Sequence, residues 1–249
     1  MAWAGLRLAI TLLTAVPLPG GHTGVPGRRT AAAALYWAPF VGLALGAVAA
    51  GVLLACRAGH TGPLLAAALA IAVLAGLTRG LHLDGLADLA DGLGSRQPAE
   101  QALAIMKRSD IGPFGVVTLV LALLIQVSAL ATADQIGRGP LAVITAVVAA
   151  RLAVMLACRH GVPAARPGGL GALVAGAVRP WAGAALALAA VGGAAAFGWI
   201  YAVAVAAGLA VSLGVTAVAV RRLGGITGDV LGAIAEITAA VCLLVTALS

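Results

Sequence analysis

Apolar residues in this chain do not alternate with polar ones; they run on in blocks long enough to cross a bilayer. A hydrocarbon core of ~30 Å takes about 20 helical residues. Blocks of that order cover residues 31–56, 63–81, 113–134, 139–158 and 229–248, and residues 181–220 form one of about double length. Trp199 and Tyr201 divide that double block, and aromatics of this kind favour the membrane interface. The pattern predicts about seven transmembrane helices. A shorter apolar piece, 6–16, ends at Pro17 and is expected to lie at the interface or dip into the bundle. No alternating strands of the barrel type are visible. The predicted fold is all-α: a polytopic transmembrane helical bundle forming one integral membrane domain over 1–249.

Composition sharpens this picture. Hydrophobic residues make up 62% of the chain and charged residues 9%, against about 25% charged in soluble domains. Abundant Ala and Gly suit helices that pack closely in lipid. Cys56, Cys158 and Cys242 form no C-x-x-C pair, so neither a disulfide framework nor a zinc site is expected. The N-terminus lacks a clear cleavage site and reads as retained.

The charges then orient the bundle. With seven spans, twelve of the fifteen basic residues fall on one side, Arg57 and Arg138 on the other, and Arg151 within a span. Basic loops stay in the cytoplasm, so the N-terminus is placed inside, in a multi-pass protein of the cell (inner or plasma) membrane. This distribution also accounts for the net charge of +7, and no nucleic-acid partner is needed to explain it; the partner is the lipid membrane. Of the eight acidic residues only Asp134 falls on the outer side. Acidic residues contribute little to topology, so their bias marks a site at the cytoplasmic face.

Two acidic motifs carry the candidate chemistry. In His82-Leu-Asp84-Gly-Leu-Ala-Asp88-Leu-Ala-Asp91 the aspartates stand at i, i+4 and i+7, on one stripe of a helix. Three carboxylates so placed repel one another unless a cation lies between them, and hard cations such as Mg²⁺ take oxygen ligands and phosphates. The second motif is Gly224-Gly-Ile-Thr227-Gly228-Asp229, followed by Glu236 at i+7 from Asp229. Backbone N–H groups at that helix start, around Thr227 and Gly228, suit a phosphate. A carboxylate two turns into a span, as at Glu236, implies a partner cation or proton. Lys107 and Arg108 could neutralise a pyrophosphate, although anchoring at the membrane face accounts for them almost as well. Arg151 should face the bundle interior and pair with an anion. Arg166 is a loop candidate for the same task. His82 could accept a proton or orient a ligand. There is no Walker A sequence and no H-E-x-x-H.

These residues together resemble the cobalamin synthase family, the adenosylcobinamide-GDP ribazoletransferases. The resemblance rests on the 82–92 motif, on Gly-Gly-Ile-Thr-Gly-Asp229 with Glu236, and on Leu-Thr-Ala-Val-Pro-Leu-Pro at 13–19. The Lys107–Gly115 loop and Ala165-Arg166-Pro-Gly-Gly-Leu-Gly agree as well. It departs at two places: Asp110 stands where many members carry Arg, and Arg79 where a small uncharged residue is common. The resemblance implies an Mg²⁺-dependent phosphotransferase of cobalamin biosynthesis. The cobinamide-phosphate group of adenosylcobinamide-GDP passes to α-ribazole or its 5′-phosphate, giving adenosylcobalamin (or its 5′-phosphate) and GMP. It assigns Asp84, Asp88, Asp91, Asp229 and Glu236 to metal. Lys107, Arg108, Arg151, Arg166, Thr227 and Gly228 would bind substrate, and Asp84, Asp88 or His82 would take the hydroxyl proton. A multienzyme cobalamin-assembly complex would explain why these substrates are joined at a membrane. Two other readings stay open: a CDP-alcohol-type phosphotransferase, whose D-G-x-x-A-R opening is missing here, and a cation-coupled transporter, which would place carboxylates near mid-membrane.

Overall fold

The computed structural model describes residues 2–16, 18 and 26–248. Pro17 and Pro19 of the N-terminal motif lie outside the described residues. Eleven helices are present among them, with no strands beyond two isolated bridges. They are α1 (Ala2–Leu13), α2 (Arg28–Ala58), α3 (Pro63–Leu77), α4 (Leu81–Gly94), α5 (Ala99–Ile105), α6 (Pro113–Gln135), α7 (Gly139–Ala157), α8 (Gly169–Val174), α9 (Pro180–Ala195), α10 (Trp199–Leu223) and α11 (Gly228–Ala247).

Helix α7 is the hub, packed against α2, α6, α9, α10 and α11. Small residues permit this. A Cβ on Gly46 of α2 would sit 2.9 Å from Ile144 Cα of α7, and one on Gly208 of α10 would meet Cys242 Sγ of α11 at 2.7 Å. In lipid there is no hydrophobic force between helices, so close van der Waals approach of this kind holds the bundle together.

Each of the seven expected spans is a helix, but only α2, α6, α7, α10 and α11 are both long and apolar enough to cross on their own. Helix α3 has 15 residues and α9 has 16, so each rises only about 22–24 Å. Among the described residues the structure therefore gives five spans, or six when the bent pair α3–α4 is counted as one. The apolar run ending at 81 overstated α3 because Arg79 (φ 55°) and Gly80 (φ 66°) turn left-handed and stop the helix. Helix α4 leaves at 89° to α3, and we read it as running across the end of the bundle. Helix α1 is too short to cross. It lies on α2 with Gly5, Leu8 and Ala9 buried, and Ala15 N–H donates to Leu77 O at 2.6 Å.

The far end of the bundle accounts for its few charges structurally. Arg57 donates to Asp134 Oδ1 at 2.7 Å, and Arg138 donates to Leu248 O at 2.6 Å. Asp134, the one acidic residue expected outside the cytoplasmic face, thus ties α2 to α6.

Candidate active site

The near end of the bundle is where α4, the α5–α6 loop, the 163–167 loop and the start of α11 converge. Helix α4 reaches α11 through glycine. A Cβ on Gly85 would lie 2.7 Å from Asp229 O, and one on Gly232 would lie 3.2 Å from His82 Cα. With hydrogens there instead, the backbones touch and the Asp84–Asp88 stripe is brought to Asp229.

The 163–167 loop is fastened to the Gly-Gly turn as a two-residue parallel bridge. Ile226 N–H donates to Pro163 O at 2.9 Å, and Ala165 N–H donates to Ile226 O at 3.0 Å. Gly225, at φ 159°, is required here because a Cβ would run into Pro163 O. This staple delivers Arg166. Its Nη2 donates to Leu103 O of α5 at 2.8 Å and stands 3.9 Å from Asp229 Oδ2, while its buried Nε has no partner among the described residues. Thr227 caps α11, accepting from Val230 N–H and donating to Asp229 Oδ2, both at 3.2 Å.

The three aspartates of α4 differ in setting. Asp84 is exposed, Asp88 half-buried and Asp91 buried. Asp91 accepts from Gly112 N–H at 2.7 Å and Gly115 N–H at 2.9 Å, so it caps α6, where a carboxylate also suits the helix dipole. Asp88 lines a cleft of about 210 Å³ with Asp91, Arg108 and Asp110. Burial pushes its carboxyl up to about 6, helped by repulsion from Asp84, Asp229 and Asp91 and opposed by Arg166. Lys107 is exposed and is not among that lining; Arg108 is the basic residue of the loop that meets Asp88 there.

Two predicted site residues lie elsewhere. Glu236 stands about 12 Å along α11 from its start. Its Oε2 accepts from Gln126 Nε2 at 2.8 Å. Arg151, 6% exposed and with Nε unpartnered among the described residues, lines with Glu236 and Gln126 an internal cavity of about 40 Å³. That volume holds a water. His82 is 4% exposed, and its backbone packs against Gly232 of α11. Gln126 was missed from sequence, although an amide inside the apolar run 113–134 is itself a signal.

Among the described residues no three His, Cys, Asp or Glu side chains gather tightly enough to form a ready-made metal cage. The donor set still fits Mg²⁺, which commonly keeps several waters and uses one or two carboxylates plus substrate phosphates. Asp84, Asp88 and Asp229 supply hard oxygens whose mutual repulsion a cation relieves. Both oxygens of Asp91 are already bonded, and Glu236 is held inside the bundle.

A helical membrane bundle with carboxylates and arginines gathered at one end defines a class: an integral membrane protein with a polar site at its face. The family model for cobalamin-5-phosphate synthase matches residues 5–247, and the chain belongs to that family. It is 45% identical to an adenosylcobinamide-GDP ribazoletransferase of Frankia casuarinae, over 98% of this chain and 94% of that one. Ribazoletransferases of Nocardioides sp. and Ectopseudomonas mendocina are 40% and 38% identical, each over 98% of this chain and covering 96% and 98% of their own lengths. No solved structure matches.

Proposed function

We propose that this protein is an Mg²⁺-dependent adenosylcobinamide-GDP ribazoletransferase of the inner or plasma membrane, working at the cytoplasmic face. The observation that carries the reading is the convergence of Asp84, Asp88, Asp229, Arg108 and Arg166 at one end of the bundle, in a chain whose relatives bear that name. The ribazole 3′-hydroxyl oxygen attacks the corrinoid-proximal phosphorus. The bond from that phosphorus to the bridging oxygen breaks, and GMP leaves with the bridging oxygen. Asp84, Asp88 and Asp229 would hold Mg²⁺, which when bound supplies charge neutralisation at the pyrophosphate. Arg108 and Arg166 neutralise the leaving phosphate. The start of α11, with Thr227 and Gly228, presents N–H groups to an anion. The hydroxyl proton passes to whichever of Asp84 and Asp88 is not bound to the ion; His82 is buried. Arg151 and Glu236 act inside the bundle, not on phosphate.

The test is product formation by membranes carrying the protein, given adenosylcobinamide-GDP, α-ribazole 5′-phosphate and Mg²⁺. Cobalamin 5′-phosphate and GMP should appear, and EDTA should abolish both. No product from well-folded protein would return the site to the phosphotransferase and transporter readings. A complex with other corrinoid enzymes is part of the same proposal. Their co-purification in mild detergent supports it, and full activity of the protein alone in native membranes counts against it.

A further inference from the structure

A second cavity, about 240 Å³, opens beside the first turn of α4, where Leu81 and His82 line it. Its walls are apolar side chains of α1, α2, α8 and α11, and its floor reaches Gly228, the residue before Asp229. Three polar features interrupt this lining. His82 is 4% exposed, and its Nδ1 has no hydrogen-bond partner among the described residues, an unusual condition for a buried polar atom. Gly228 opens α11. Arg79, with Leu81, is an exposed member of the lining and marks the mouth. Among the described residues its guanidinium donates to Thr11 O at 3.4 Å. Arg79 is also held at φ 55°, where glycine would sit without strain. A bulky residue kept in that conformation points to a task for its side chain.

We infer that this groove is the acceptor subsite: it takes the flat bicyclic base of the ribazole, with His82 serving the ring nitrogen and Arg79 the 5′-phosphate. The inference rests on the proposed transferase reaction. The volume lies just under the ~300–1,000 Å³ of sites for drug-sized ligands, so it suits a single aromatic base and is far too small for a corrin. An apolar lining with one buried imidazole matches a hydrophobic ring that carries one polar atom. A lipid acyl chain would offer that imidazole nothing. Rotation of the imidazole about χ2 exchanges Nδ1 with Cδ2, so the orphaned nitrogen can face the ring. His82 precedes Asp88 by six residues, about 9 Å along the helix, which leaves room for a ribose between base and metal site. The exposed arginine at the mouth complements a phosphate dianion.

The experiment measures kcat and KM for α-ribazole and for its 5′-phosphate with the full-length protein in nanodiscs. Arg79→Gln should lower the ratio of kcat/KM for the phosphate form over the hydroxyl form about tenfold, the loss of one charge-assisted contact. Ala38→Leu, which fills the groove from α2, should raise KM for both forms about tenfold and leave KM for adenosylcobinamide-GDP within about twofold. His82→Leu should raise the ribazole KM and spare kcat. An unchanged ratio in Arg79→Gln overturns the phosphate assignment, and unchanged ribazole KM values in folded Ala38→Leu overturn the groove as the site of the base. Loss of kcat at constant KM in His82→Leu would make it the proton acceptor and overturn its role here. If Ala38→Leu fails to fold, the ratio in Arg79→Gln, an exposed position, decides. A parent protein that forms no product with either ribazole defeats the transferase reading itself, a different outcome from all of these.

Discussion

At the scale of single residues, the aspartates of α4 share a stripe but not a task. Asp88 faces a cleft with Arg108, and its carboxyl is pushed up to about 6 by burial and by Asp84, Asp229 and Asp91. A raised carboxyl pKa means that Asp88 is partly protonated below about pH 6, and a bound cation needs the ionised form. Mg²⁺ binding should therefore release protons near pH 6 and almost none at pH 8. Calorimetry in buffers of different ionisation enthalpy would read this directly; proton release unchanged across that range would remove Asp88 from the metal site. Asp88→Asn removes a charged oxygen donor, a loss of several kcal/mol of charge stabilisation. It should lower kcat/KM by about 100-fold or more, measured as GMP released. Asp91 behaves differently because its oxygens accept from Gly112 and Gly115. Asp91→Ala should cost about 1–3 kcal/mol of stability by leaving those N–H groups unpaired, seen as a lowered unfolding midpoint in detergent. A change in activity with no change in stability would contradict the capping role. The i, i+4, i+7 spacing placed all three on one face, yet it could not separate them, since Asp91 finds its partners 21 and 24 residues away.

At the scale of elements, the site depends on how closely helices approach. Gly85 has no room for a Cβ, because the backbone of Asp229 lies 2.7 Å from where it would stand. Backbone cannot swing aside as a long side chain can. Gly85→Ala should therefore push α4 off α11, cost about 1–3 kcal/mol, and weaken Mg²⁺ binding as Asp88 and Asp229 separate. Mg²⁺ titration of the folded variant tests this; wild-type affinity would show that the two helices do not share the ion. The helices themselves were legible as apolar runs. The end of α3 was not, because Arg79 and Gly80 turn left-handed inside what reads as continuous apolar sequence. The tie between the 163–167 loop and the Gly-Gly turn was also hidden, since a bridge of two backbone bonds leaves no side-chain pattern.

Across the whole molecule the two ends do different work. The far end holds a structural pair, Arg57 with Asp134, in which Asp134 is buried while Arg57 is 48% exposed. Screening by solvent at Arg57 keeps its value well below that of a fully buried pair. Asp134→Ala should lower stability by about 1–2 kcal/mol and leave both KM values unchanged, whereas near-end variants alter activity. Equal loss of activity would mean that the ends are coupled through the bundle. Sequence alone determined that the chain is a helical membrane bundle, because apolar length and a scarcity of charge admit lipid as the only solvent. It also determined that acidic residues collect at one face, because hydropathy and the basic loops assign each residue to a side. Tertiary structure decided which carboxylates meet. Spacing reports angle around one helix, whereas the approach of Asp88 to Asp229, the capping of α6 by Asp91 and the withdrawal of Glu236 to Gln126 depend on contacts between helices far apart in the chain. A helix axis carries no information about its neighbours until they pack.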